Sequence, residues 1–336
     1  MTVLLLGTYK KVNSNDYIQL VADAYIRAGY NVIFEEQNFM FSNFVPDVLH
    51  IQWPEAIYRW KKIISMNDTG LKQVQSRLQW YKNNNTKIVY TVHNLLPHEN
   101  AIEFDIKIYS LMLEYSDIIA HHGQSSIDII KKKYPITASK KHVVAPHGPY
   151  EKKELPLKSI SKNKYNLPQD KLIYTNFGLQ RIYKGQEFCF DLFDKWSNNN
   201  DVCFFSVGKL VHSFKALEEN KYSFNYKKLY KVIPTNEVVD IISATDVFFL
   251  GHSSGLNSGL IALALTYKKP IIFPDIGNFK DQVDGWELYE TYEVNNIDSA
   301  LLALKRMHKR LNENINICNE KWLSLNSWDI HIKNLS

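Results

Sequence analysis

Residues 244–274 read ATDVFFLGHSSGLNSGLIALALTYKKPIIFP, and the punctuation of this stretch decides the fold. Asp246 to Leu250 is a short apolar run rich in Val and Phe, which predicts a buried strand. Gly251 to Asn257 is small and polar, and Ser258 to Tyr267 is a compact helical segment of Ala and Leu. Lys268-Lys269-Pro270 stops that helix, and Ile271 to Phe273 is the next strand. A strand, loop, helix and strand in this order is the grammar of a parallel α/β sheet. The loop delivers Asn257, Ser258 and Gly259 to a helix N-terminus, with Asn257 or Ser258 as its cap. The first backbone N–H groups there have no partner inside the helix, and the dipole favours negative charge. These residues are therefore a candidate phosphate site.

The preceding residues repeat the grammar. Leu172 to Phe177 predicts a strand, Gln186 to Ser197 a helix, and Asp201 to Val207 and Tyr230 to Ile233 further strands. Thr235-Asn236-Glu237 opens a helix that runs to Ala244. After the first of these strands comes Gly178-Leu179-Gln180-Arg181-Ile182-Tyr183-Lys184-Gly185. Arg181 and Lys184 are fixed cations in a Gly-rich turn, suited to a diphosphate, one as a fork and one as a point charge. Residues 151–164, EKKELPLKSISKNK, are charged and weakly periodic and read as a linker.

The first half follows the same alternation. Strands are expected over 2–6, 31–35, 48–52, 87–92, 117–120 and 141–145, and helices over 16–28, 71–83, 103–115 and 125–134. The fold class is α/β, two doubly wound Rossmann-like domains over 1–150 and 165–315, with a closing segment at 316–336. Ligands of such sheets bind beyond the carboxyl ends of the strands. His50, His93, His122 and His147 each fall at or just past such an end, and the Gly7 loop ends the first strand. Histidines gathered on one edge suit a cleft that needs hydrogen-bond donors or a proton carrier. His93 is the catalytic candidate, and Glu99, in the same loop as His98, is a candidate base. Zinc competes for the histidines, but neither an H-x-x-x-H nor a paired Cys/His spacing is present, so no metal is assigned.

Length and charge set the bounds. A chain of 336 residues suits two domains, and a net charge of +5 suits an anionic ligand or lipid surface rather than dedicated nucleic-acid binding. Three scattered cysteines fit a reducing cytosol. The opening MTVLLLGTYKK reads as a first strand rather than a signal peptide. Residues 59–64 (RWKKII) and 131–134 (KKKY) mix cations with apolar groups, as peripheral membrane contacts do.

These motifs together resemble the GT-B glycosyltransferases. Phe177-Gly178…Arg181…Lys184-Gly185, then Ile233-Pro234…Glu237, then Ala244-Thr245-Asp246-Val247, then Ala262-Leu263-Ala264…Lys269-Pro270 is similar to the donor half of the large retaining family four, which includes sucrose and mannosyl transferases. Asp47-Val48-Leu49-His50, Thr91-Val92-His93-Asn94 and Pro146-His147-Gly148 are similar to its first half. The resemblance implies two domains facing across a cleft, with the terminal segment around Trp322, Trp328 and Ile330 crossing back to the first. It implies sugar transfer from a UDP- or GDP-linked donor to a glycan or lipid-linked acceptor, without cofactor or metal. Arg181, Lys184, Asn257, Ser258 and Gly259 would take the diphosphate, and Gly178, Ile233 and Glu237 the nucleoside. His93, with His122 and His147, would face the sugar. The implied location is cytoplasmic, at the inner face of the membrane. One departure stands out: the family usually carries two acidic residues roughly two helical turns apart, whereas Gly255 and Leu263 stand there. Donor-sugar contacts and a retaining outcome are therefore not carried over. A catalytically silent partner subunit and a sugar-nucleotide epimerase are the rival readings.

Overall fold

The computed structural model describes residues 1–7, 16–97, 100–196, 201–211, 226–313 and 317–336. Contacts divide the chain into two units, one of residues 1–148 with 326–336, the other of residues 149–325. Each is built on one six-stranded sheet in which every pairing is parallel.

The first sheet holds β1 (Thr2–Leu5), β2 (Asn31–Phe34), β3 (Val48–Ile51), β4 (Lys87–Thr91), β5 (Ile118–His121) and β6 (Lys141–Val144), in the order β2-β1-β3-β4-β5-β6. Helices Tyr17–Arg27, Asp68–Asn83, Glu103–Tyr115 and Ser125–Lys133 connect its strands. The central strands are apolar because both faces are covered; β3 and β5 are buried along their whole length. The last helix, Trp328–Leu335, is capped by the Ser327 hydroxyl and packs Trp328, Ile332 and Leu335 into this unit's core.

The second sheet holds β7 (Leu172–Phe177), β8 (Val202–Val207), β9 (Tyr226–Leu229), β10 (Val247–Phe249), β11 (Ile271–Pro274) and β12 (Tyr289–Tyr292). Its order, β12-β11-β10-β7-β8-β9, reverses direction between β7 and β10. That reversal is the topological switch point of a Rossmann sheet, and ligands of such sheets bind outside the carboxyl ends of the strands there.

One device recurs at the amino ends of the strands. Asp47, Asp117 and Asp246, each just before a strand, accept the backbone N–H of Thr2 (2.6 Å), Ile88 (2.8 Å) and Ile173 (2.9 Å) on the neighbouring strand. A charge-assisted bond at that point pins the register of β1 to β3, β4 to β5 and β7 to β10.

Three expectations need correction. The strand expected at 230–233 lies at Tyr226–Leu229, because an edge strand tolerates the cations Lys227 and Lys228. The linker of 151–164 ends in the helix Lys158–Lys164, where Lys162 is buried and donates to Gln169 O (3.2 Å) and Lys171 O (2.7 Å). The terminal segment divides: helix Glu320–Leu325 belongs to the second unit and Trp328–Leu335 to the first. Strand β12 and helix Ile297–Leu311 complete the second unit beyond what the sequence suggested.

Candidate active site

In the second unit, the loops after β7 and β10 touch at the switch point. Gly185 has a left-handed backbone (φ 65°), and a Cβ there would lie 1.9 Å from Gly251 O. Only glycine fits both demands. The contact is extended by the Ser253 amide, which donates to Tyr183 O at 2.8 Å. Between these loops sits Lys184. A Cβ on Gly178 would lie 3.0 Å from Lys184 Nζ, so the ammonium rests over the Gly178 backbone. Among the described residues no carboxylate pairs with it. Burial, and then the positive charge of Arg181, push the Lys184 amine down to about 8. Two cations, Arg181 and Lys184, thus share this turn closely enough for the charge of one to act on the other.

The helix Gly259–Thr266 starts as the sequence suggested, but its cap differs. Ser258 makes no side-chain cap bond; its amide donates to Gln282 Oε1 at 2.9 Å, and Gln282 Nε2 returns a bond to Ser258 O at 3.3 Å. Asn257 Oδ1 accepts from Asn278 Nδ2 at 2.7 Å. The Ser258 N–H is therefore taken. The amides of Gly259 and Leu260 carry no hydrogen bond among the described residues and are the open donors of this helix end. Gln282 and Asn278, which brace the loop, were missed in the sequence because they lie far along the chain. Glu237 closes a single 3-10 turn, Thr235–Glu237, and its carboxylate is bound by Lys231 at 2.9 Å. Ile233 is half-buried against the apolar cluster behind β7 and β8.

In the first unit, three of the four strand-end histidines, His93, His122 and His147, converge. His93 stacks on Trp53 with ring centroids 4.0 Å apart, and its ring lies 4.9 Å from Tyr17 and 5.2 Å from His122. His122 lies 5.7 Å from His147 and 5.9 Å from His331. His331 and Tyr17 join the cluster without having been singled out, together with Trp328, which the sequence marked only as part of the crossing segment; the three-residue spacing of Trp328 and His331 on a terminal helix was the available signal. All these rings are buried except Trp53, which is half-buried. Burial first, then neighbouring imidazoles, hold His147 and His331 at about 3 and His93 well below the usual histidine range. Burial also lowers His122 to about 4. The cluster is neutral at pH 7. Its rings serve as hydrogen-bonding groups of fixed tautomer, and a proton gained there is strongly acidic.

His50 points inside the unit, bonded to Tyr25 Oη (3.0 Å) and Thr91 Oγ1 (2.8 Å). Gly7 ends β1 at the same edge, where a Cβ would lie 2.7 Å from Ile18. His98 and Glu99 lie outside the described residues. Among the described residues, no three His, Cys, Asp or Glu side chains are set to hold a metal ion.

No protein-family model matches the sequence. The chain is 25% identical over 312 residues to a GDP-mannose:glycolipid 4-beta-D-mannosyltransferase of Xanthomonas campestris pv. campestris, covering 90% of this chain and 82% of that protein. The structure is similar to sucrose-phosphate synthase from Thermosynechococcus elongatus, with a TM-score of 0.72 at 13% identity over 99% of this chain and 96% of that one. The chain is a glycosyltransferase of the GT-B fold. Another solved structure with this fold, the Anabaena protein HepE in complex with UDP and glucose, matches with a TM-score of 0.66 at 12% identity over 100% of this chain and 97% of that one. These likenesses favour sugar transfer over a silent partner subunit or an epimerase.

Proposed function

We propose that this glycosyltransferase takes its sugar from a nucleoside diphosphate sugar and that Lys184, Arg181 and the amides of Gly259 and Leu260 receive the diphosphate. The observation that carries this reading is the Lys184 ammonium, resting over Gly178 at the switch point with no carboxylate partner among the described residues. Departure of a nucleoside diphosphate builds negative charge, and preorganised cations and amide dipoles stabilise that charge without a metal ion. The name of the Xanthomonas relative speaks for a GDP-linked mannosyl donor and a glycolipid acceptor. The HepE complex speaks for a uridine donor. Both arms belong in the test. Calorimetry with GDP and UDP should detect one of them, and Lys184→Ala or Arg181→Ala should weaken that binding about 10- to 100-fold. Unchanged affinity in both variants would remove the diphosphate assignment. His93, at the carboxyl edge of the first sheet, is the group proposed to meet a reacting sugar.

A lipid-linked acceptor calls for contact with a membrane, and no helix among the described residues is long and apolar enough to cross one. The basic stretch 59–64 is a poor anchor: Arg59 is forked onto Asp105, Lys61 is paired with Glu35 and Glu36, and Ile64 is buried. Lys131, Lys132 and Lys133 instead stand exposed at a helix C-terminus without a carboxylate partner among the described residues, next to exposed Ile136. This second stretch is the proposed contact with anionic lipid at the inner face of the membrane.

A further inference from the structure

Gln52 is buried just past β3, two residues after His50, so both side chains leave the same face of the strand. An amide has chemically distinct ends: its NH2 only donates and its oxygen only accepts. Gln52 Nε2 lies 2.9 Å from His50 Nε2, and Gln52 Oε1 lies 2.7 Å from His93 Nε2. The first contact makes His50 Nε2 an acceptor. The His50 proton then sits on Nδ1 and is donated to Tyr25 Oη at 3.0 Å. The Thr91 hydroxyl, with Oγ1 2.8 Å from the same Nε2, shares that lone pair as a second donor beside the amide. The second contact makes His93 Nε2–H the donor, which leaves Nδ1 as the acceptor nitrogen of the neutral ring.

The neighbouring rings are held the other way round. His122, His147 and His331 each donate Nδ1–H to a backbone carbonyl, at Ala145 (2.9 Å), Gly148 (2.8 Å) and Pro146 (2.9 Å). Carbonyls of the segment after β6 thus impose one tautomer on three imidazoles, while the Gln52 amide imposes the opposite one on His93. We propose that Gln52 is a positioning residue of the transfer reaction: it holds His93 in the Nε2–H form, so that Nδ1 is the nitrogen that accepts a hydrogen bond from a sugar hydroxyl. This rests on the reading of His93 as the sugar-facing group. A neutral histidine in the wrong tautomer has no lone pair to offer the hydroxyl, which is why such orienting partners matter to rate.

The test is a two-bond proton–nitrogen correlation spectrum of the full chain labelled with 15N-histidine, paired with turnover of GDP-mannose and UDP-glucose. In the wild type His93 is expected as Nε2–H, and His122 and His331 as Nδ1–H. Gln52→Leu should release His93 into the other or a mixed tautomer while His122 and His331, held by carbonyls, stay as they are and report an intact fold. Gln52→Glu, whose carboxylate only accepts, should keep His93 as Nε2–H and turn His50 from Nδ1–H to Nε2–H. The kcat of Gln52→Leu should fall roughly tenfold or more at unchanged KM, with most of it recovered in Gln52→Glu. An Nδ1–H His93 in the wild type, or an unmoved His93 tautomer in Gln52→Leu, overturns the hold of Gln52. A moved tautomer with unchanged kcat overturns the positioning role if His93→Ala is inactive. If His93→Ala is fully active, it is the reading of His93 itself that fails.

Discussion

Lys184 is where the chemistry of a single residue is most exposed to test. Its amine, pushed down to about 8, loses its charge as pH rises through that value, whereas an ordinary lysine would stay protonated for two further units. Diphosphate binding should therefore be full at neutral pH and weaken above about pH 8, by at most about tenfold per unit. Lys184→Arg keeps its charge throughout and should flatten the profile, as calorimetry with GDP or UDP at pH 7 and pH 9.5 would read. The residue type and its place in a Gly-rich turn were visible in the sequence. The missing counter-charge was not, because pairing is settled in space. Glu237 makes the contrast: it looked equally available, yet Lys231 holds it.

At the scale of elements, the site depends on two loops that approach without side chains between them. In Gly185→Ala a methyl would have to enter the space of Gly251 O, on a backbone already in the left-handed region. The cost should be on the order of 2 kcal/mol or more, seen as a lower Tm, and GDP or UDP binding should be lost together with it. Wild-type stability in this variant would mean that the loops do not meet as described. Strands with continuous apolar runs, such as Leu172–Phe177, were legible because burial on both faces leaves that signature. Strand Tyr226–Leu229 was not, since an edge position removes the demand for apolar residues that makes a strand readable. Helix Ile297–Leu311 buries Ala300, Ala303, Leu304 and Met307 at helical spacing, a period present in the sequence yet missed beside the louder strand signals.

The whole molecule carries an imbalance in acid lability. The first unit buries His50, His121, His147 and His331, each held at about 3, and His122 at about 4. The unfolded chain takes up these protons near 6.5 and the folded unit only near 3 to 4. Stability is therefore full above about pH 6.5 and drains as pH falls toward 4. The first unit should unfold at a higher pH than the second, which hydrogen exchange resolved by segment would show. A simultaneous loss of both would contradict the prediction. At the same scale, Lys131→Glu with Lys132→Glu and Lys133→Glu should abolish sedimentation with anionic vesicles, and added salt should do the same to the wild type. Salt-insensitive binding, or none, would dismiss the proposed surface.

The amino-acid sequence by itself determined the parallel α/β class, most strands, the Gly-rich cation loop and the histidines at strand ends. Each of these is a local pattern, written in hydrophobic period and in residues with special backbone or charge. Only the tertiary structure decided which groups are spoken for: Glu237 by Lys231, the Ser258 amide by Gln282, His93 by Gln52. Lys184 was left without a carboxylate partner among the described residues. Hydrogen bonds and ion pairs between residues far apart in the chain leave no periodic trace, so only folding reveals which polar groups are satisfied and which still have a ligand to meet.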